Sequence, residues 1–138
     1  MIHVQLEAWN AILTHLRRAY PREGCGILLG RDGETREVTM AWPCRNAYDG
    51  ERKDRFQLDP LEQLAAERYA RGEGLDVLGF FHSHPDEESY FSKTDLENSW
   101  PWYSNIVVSV RNGAYAAARC FRANQERTSS EEEAMNHE

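Results

Sequence analysis

The run Leu75-Asp76-Val77-Leu78-Gly79-Phe80-Phe81 leads directly into His82-Ser83-His84-Pro85, and this junction constrains the chain more than any other stretch. A short apolar segment of this kind reads as a buried strand, and Pro85, lacking an N–H to donate, ends it. Residues two apart on a strand project to one side, so His82 and His84 point together while Ser83 points away. Asp95 follows, far enough along for the chain to turn back and bring a carboxylate to the two imidazoles. Two neutral imidazoles and one carboxylate fill three positions of a tetrahedral zinc ion and leave the fourth open to water, the pattern of catalytic rather than structural sites. Each fragment also has a plainer reading. A His-x-His pair alone is a weak signal, and Ser92-x-x-Asp95 is an ordinary capping box, with Ser92 at the N-cap and an acid at the third helical position. Their order, at the end of an apolar strand, favours one zinc ion per chain.

Water activated by a metal needs a general base that is not itself a ligand. The stretch Pro21-Arg22-Glu23-Gly24-Cys25-Gly26-Ile27-Leu28-Leu29-Gly30 offers one, with Glu23 at the mouth of a second apolar strand, Cys25 to Leu29. The small residues at 24 and 26 let that strand's backbone pack closely. A lone loop acid is ordinarily solvated, and Glu23 becomes a candidate base because the metal site requires one. Cys25 reads as a small core residue, with a place near the metal as the alternative.

Glu23 ahead of Cys25-Gly26, then His82-Ser83-His84-Pro85, then Ser92-x-x-Asp95 together resemble the JAMM (MPN+) zinc metalloprotease motif, with all five polar positions filled in order. The resemblance is closest to the small stand-alone prokaryotic members, which share this length and the Glu-x-Cys-Gly opening. It implies that His82, His84 and Asp95 ligate zinc, that Glu23 is the general base, and that Ser92 stabilises the oxyanion on the scissile carbonyl. A metal of this kind lowers the pKa of bound water from 15.7 toward about 7, and a donor aimed at the oxyanion contributes about 3 kcal/mol. Ser92 carries a conflict, since the same side chain is also read as an N-cap. The resemblance further implies cleavage after the C-terminal Gly-Gly of ubiquitin-like or sulphur-carrier proteins. Glycine suits such a site, because residues without side chains can thread a narrow groove as an extended strand.

With 138 residues the chain is long enough for one domain with its own core. A net charge of −7 and a pI near 5.3 speak against a general nucleic-acid binder. Three cysteines, Cys25, Cys44 and Cys120, are odd in number and widely spaced, which argues against a disulfide framework and for a cytoplasmic setting. The opening residues do not read as a signal peptide, and no apolar segment approaches the ~20 residues that span a bilayer.

Trp9, Ile12, Leu13, Leu16 and Tyr20 form one stripe of a helix over residues 5–20, ended by Pro21. A strand at 25–29, a turn at 31–34 and a strand at 37–42 follow. Residues 45–55 read as a polar loop, long enough to suspect a hold on substrate. A short strand is expected at 55–58. Asp59-Pro60-Leu61-Glu62 starts a second helix, expected to bury Leu61, Leu64, Ala65 and Tyr69. A short helix runs from Ser92 to about Trp100. Asn112-Gly113 joins strands at 105–111 and 115–122. Residues 1–123 therefore form the metallopeptidase domain, and the polar, acidic residues 124–138 read as a disordered tail, dispensable for folding. The fold class is α/β (α+β): a mostly antiparallel or mixed sheet of about six strands flanked by helices, the MPN/JAMM (cytidine-deaminase-like) architecture that the resemblance implies. Two other readings are a non-catalytic MPN-type interaction module, which usually lacks the ligands present here, and another hydrolase of the same fold.

Overall fold

The computed structural model describes residues 1–50 and 55–138. In chain order its elements are β1 (Ile2–Val4), α1 (Leu6–Ala19), β2 (Cys25–Arg31), β3 (Arg36–Cys44), α2 (Pro60–Glu73), β4 (Asp76–Pro85), α3 (Lys93–Glu97), β5 (Ser104–Arg111), β6 (Ala114–Ala123), β7 (Ser130–Glu133) and β8 (Met135–His137). Among the described residues the strands form one mixed sheet in the order β7-β6-β5-β4-β2-β3-β1-β8. Its centre is β4, antiparallel to β2 and parallel to β5.

Each face of the sheet carries a helix. The α1 stripe packs as its spacing predicts, with Trp9, Ile12 and Leu16 buried against Leu28, Leu78, Phe81, Ile106 and Val108. The other face holds Cys25, Ile27, Leu29 and Cys44 under α2. Here the expected face is wrong. Ala66 and Ala70 are buried, whereas Leu61 and Leu64 are 77% and 43% exposed. The sheet presents Met40, Trp42 and Phe80 to this helix, with Phe56 from the adjoining loop, and large side chains from below leave room only for alanines from above. The α2 ends are those its sequence specifies. Asp59 accepts the Leu61 N–H at 2.9 Å, and Gly74, at φ 66°, closes the last turn.

Three expectations about strands differ from the structure. β1 was not anticipated, being three residues long. Residues 55–58 form no strand and supply only one bridge, Asn46 to Leu58. The segment after Ala123 is not a disordered tail, since it contributes β7 and β8 and brings the sheet to eight strands. Its charges, which resemble those of a solvated segment, are used as cross-strand partners. Arg119 grips Glu132 through two hydrogen bonds, at 2.8 and 3.1 Å. Glu133 is buried and accepts from Arg122 and from Ser104, the latter at 2.7 Å. Met135 packs on the core, and His137 stacks on Trp9 at 4.0 Å.

β7 and β8 occupy opposite edges of the sheet, yet only Ala134 separates them. One residue spans less than ~8 Å, so the sheet curls until its edges nearly meet around α1. No helix among the described residues is long and apolar enough to cross a membrane.

Candidate metal centre

A register shift between Leu28 and Leu29 marks a bulge where β2 pairs with β4. It places Val77 and Phe80 on the same face of the sheet, and alternation from Phe80 then carries His82 and His84 to that face, beside Cys25. Ser83 faces the opposite way, as its position between them predicts. Its hydroxyl accepts the Gly24 N–H at 2.9 Å, and its own N–H donates to the Gly24 carbonyl at 3.1 Å. These bonds hold the turn that carries Glu23 beside the histidines.

Asp95 arrives from α3, a single turn built by its capping box. The Asp95 N–H donates to Ser92 Oγ, and the Ser92 N–H donates to Asp95 Oδ2, both at 3.0 Å. The same Oδ2 lies 3.2 Å from His82 Nε2 and 3.0 Å from His84 Nε2, and the two Nε2 atoms are 3.3 Å apart. His84 Nδ1–H donates to the Glu88 carbonyl at 2.9 Å, which leaves the Nε2 lone pair turned inward. Three electron-rich atoms thus converge where a cation balances them. Ligands 2.0–2.1 Å from a tetrahedral ion lie about 3.3–3.4 Å from one another, so the triad fits a small metal ion with little adjustment. Glu23, 3% exposed, brings a carboxylate oxygen within 4.8 Å of the histidine nitrogens.

The electrostatics suit a cation. Burial would raise the Asp95 carboxyl, but His82, His84 and the Ser92 amide outweigh it and hold it well below the usual carboxylate range. Burial likewise works to lower His84, and the Asp95 carboxylate more than offsets it, so the net shift is upward. The Cys25 thiol is pushed up to about 12, chiefly by burial, and behaves as a core residue.

The triad opens on a cleft of about 290 Å³ lined by Glu23, Arg55, His84, Tyr90, Ser92 and Asp95. A larger hollow of about 550 Å³, beside Arg36, Trp102 and Arg122, lies elsewhere on the molecule, and its arginines already pair with Asp32 and Glu133. All five site residues expected from the sequence therefore meet at one place. Sequence reasoning missed the residues that orient them. Phe56 stacks on His82 at 4.6 Å, Tyr90 lies edge-on to His84 at 5.0 Å, and the Asn46 amide donates to the Glu23 carbonyl at 3.0 Å. Only Ser83 carried a signal, through strand alternation. The loop expected to hold substrate falls partly on residues 51–54, outside the described residues.

A mixed sheet flanked by helices, with a buried His-His-carboxylate cluster, defines a metal-binding α+β protein. Residues 5–126 match the prokaryotic homologs of the JAB domain, and the chain belongs to that family. It is 37% identical to a desampylase of Haloferax volcanii over 108 residues, 75% of this chain and 76% of that protein. It is 32% identical to a CysO-cysteine peptidase of Mycobacterium tuberculosis over 121 residues, 86% of this chain and 80% of that one. A solution structure of a protein from Desulfitobacterium hafniense superposes with a TM-score of 0.86 at 30% identity, covering 100% of this chain and 93% of that one.

Proposed function

We propose that this chain is a cytoplasmic zinc metallopeptidase or isopeptidase that hydrolyses the bond following the C-terminal Gly-Gly of a ubiquitin-like or sulphur-carrier protein. The convergence of three ligand atoms at 3.0–3.3 Å beside a buried acid carries this reading. The two relatives, a desampylase and a CysO-cysteine peptidase, support the substrate class. Zinc suits two imidazoles and one carboxylate, having no d-electron preference that the site must meet. The three buried free thiols agree with a reducing compartment.

His82, His84 and Asp95 would hold the ion, which when bound polarises the scissile carbonyl and acidifies a water molecule. Asp95 is the better third ligand, because its oxygen already completes the triad, and Glu23 is left to act on water. Glu23 takes the proton of the attacking water and returns it to the departing nitrogen as the carbon–nitrogen bond breaks. Its burial keeps bulk water from competing for that proton. Ser92 stabilises the oxyanion, and its capping role does not compete with this. A hydroxyl has one proton and two lone pairs. The cap uses a lone pair, to accept from Asp95, and the proton remains to be donated into the cleft.

The test is to incubate the zinc-loaded protein with ubiquitin-fold carriers ending in Gly-Gly, bare and extended by one residue or a lysine isopeptide, and to read masses. Extended carriers should be trimmed to Gly-Gly. Stoichiometric zinc with no trimming of any carrier would contradict the proposal.

A further inference from the structure

Asn46 lies two residues beyond β3, and its side chain has four hydrogen-bonding valences, two N–H donors and two lone pairs on oxygen. All four are committed. Nδ2 donates to the carbonyls of Glu23 and Arg55, each at 3.0 Å. Oδ1 accepts from the N–H groups of Tyr48 and Gln57, each at 3.0 Å. One amide therefore ties the turn that bears Glu23 to both arms of the neighbouring loop. The main chain adds the Ala47 N–H to the Gln57 carbonyl at 2.7 Å and the bridge from Asn46 to Leu58.

The two residues gripped on the far arm, Arg55 and Gln57, flank Phe56. That ring stacks on His82 with planes 23° apart, while Arg55 lines the cleft beside Glu23. The spacing between Glu23 and the opposing wall is thus set by a side chain that touches neither the metal ligands nor the cleft's reacting atoms. Composition gives no hint of this, since a loop asparagine ordinarily only closes its own turn.

We propose that Asn46 is a positioning residue that fixes the aperture of the cleft, holding residues 55–57 at the distance from Glu23 that admits an extended Gly-Gly tail. The inference rests on the substrate class proposed above. A wall fixed before binding spares the substrate the cost of ordering it, so the effect belongs in binding more than in chemistry. Two amide donors also keep two partly buried carbonyls satisfied, which no apolar side chain can do.

The experiment compares wild type with Asn46→Ala and Asn46→Asp. Steady-state kinetics use a ubiquitin-fold carrier extended one residue past Gly-Gly. Fluorescence anisotropy gives the Kd of the labelled carrier ending at Gly-Gly, which is not cleaved. Asn46→Ala should raise KM and Kd about tenfold, about 1.4 kcal/mol of binding, with kcat within about threefold of wild type and zinc content unchanged. Asn46→Asp keeps the accepting oxygen but puts a second acceptor where both donors were, facing the two carbonyls, so it should follow alanine. An aspartate variant that binds like wild type would reduce Asn46 to a local turn and overturn the proposal. So would a fall in kcat with KM and Kd unmoved. Should wild type cleave no carrier, the functional reading fails by itself, and the Kd comparison still decides the role of Asn46.

Discussion

The site around His82, His84, Asp95 and Glu23 is shaped by three residues that hold none of its reacting atoms. Gly26 is one. A Cβ there would stand 2.1 Å from Cζ of Phe81 and 2.6 Å from the Trp42 carbonyl, so β2 can lie against the strand bearing the histidines only without a side chain. Gly26→Ala should destabilise the fold by about 1–3 kcal/mol, since the clash is with packed ring and backbone; a urea midpoint equal to wild type would show that Phe81 can yield. Ser83 is the second, pinning Gly24 from the face away from the metal, and Asn46 the third. Strand alternation made the histidine pair and the orientation of Ser83 readable in the sequence. The partners of Asn46 and Phe56 were not readable, because loops carry no period and their contacts join residues brought together only by the finished sheet. Loss of either imidazole would remove one of the three proposed ligands, so His82→Ala and His84→Ala should each purify with background zinc where wild type should hold one ion per chain. Metal analysis after reconstitution measures this directly.

Among the elements, helix starts were the most legible features, although α3 stops at Glu97 and not near Trp100. The proline and acid that open α2 and the capping box that builds α3 act locally, and local chemistry is what sequence records. Which face of α2 is buried was not legible, because its alanines are chosen by aromatic residues on strands far away in sequence. The β7 and β8 segment was misread for a related reason. Its acids pair with arginines of β6, and composition alone cannot distinguish a paired acid from a solvated one. Glu133 tests this. Burial would raise its carboxyl, but Arg122 and Ser104 hold it down at about 2, below the ordinary 4.5. A depressed carboxylate contributes stability that is present above the ordinary value and lost as pH falls toward the folded one. Glu133→Gln should therefore cost roughly 1–3 kcal/mol near neutrality, and its deficit against wild type should shrink between pH 4.5 and 2. Urea unfolding at pH 6 and pH 3 supplies the comparison, and a deficit independent of pH would remove Glu133 as the latch.

For the whole molecule, the curled sheet makes the chain's last residues structural. Ending the chain at Ala123 would strip both edges of the sheet, uncover Trp9 and leave Ser104 and Arg122 without Glu133. Such a chain should melt at least about 10 °C lower, and an unchanged melting curve would restore the reading of a dispensable tail. The candidate metal site lies at the end of β4, and neither hydrophobic core cluster includes its proposed ligands. A core built on both faces of eight strands should keep its circular dichroism spectrum after chelation, unlike small domains that fold only around zinc. The proposed chemistry divides the labour, with His82, His84 and Asp95 holding zinc and Glu23 moving protons. Glu23→Gln set beside Asp95→Asn separates the two roles, with zinc content and turnover of a Gly-Gly-extended carrier read on the same preparations. Glu23→Gln should retain its zinc and lose at least ~10² in turnover, whereas Asp95→Asn should lose zinc first and activity with it. A Glu23→Gln protein with near-normal turnover, or one that loses zinc as Asp95→Asn does, would contradict the account.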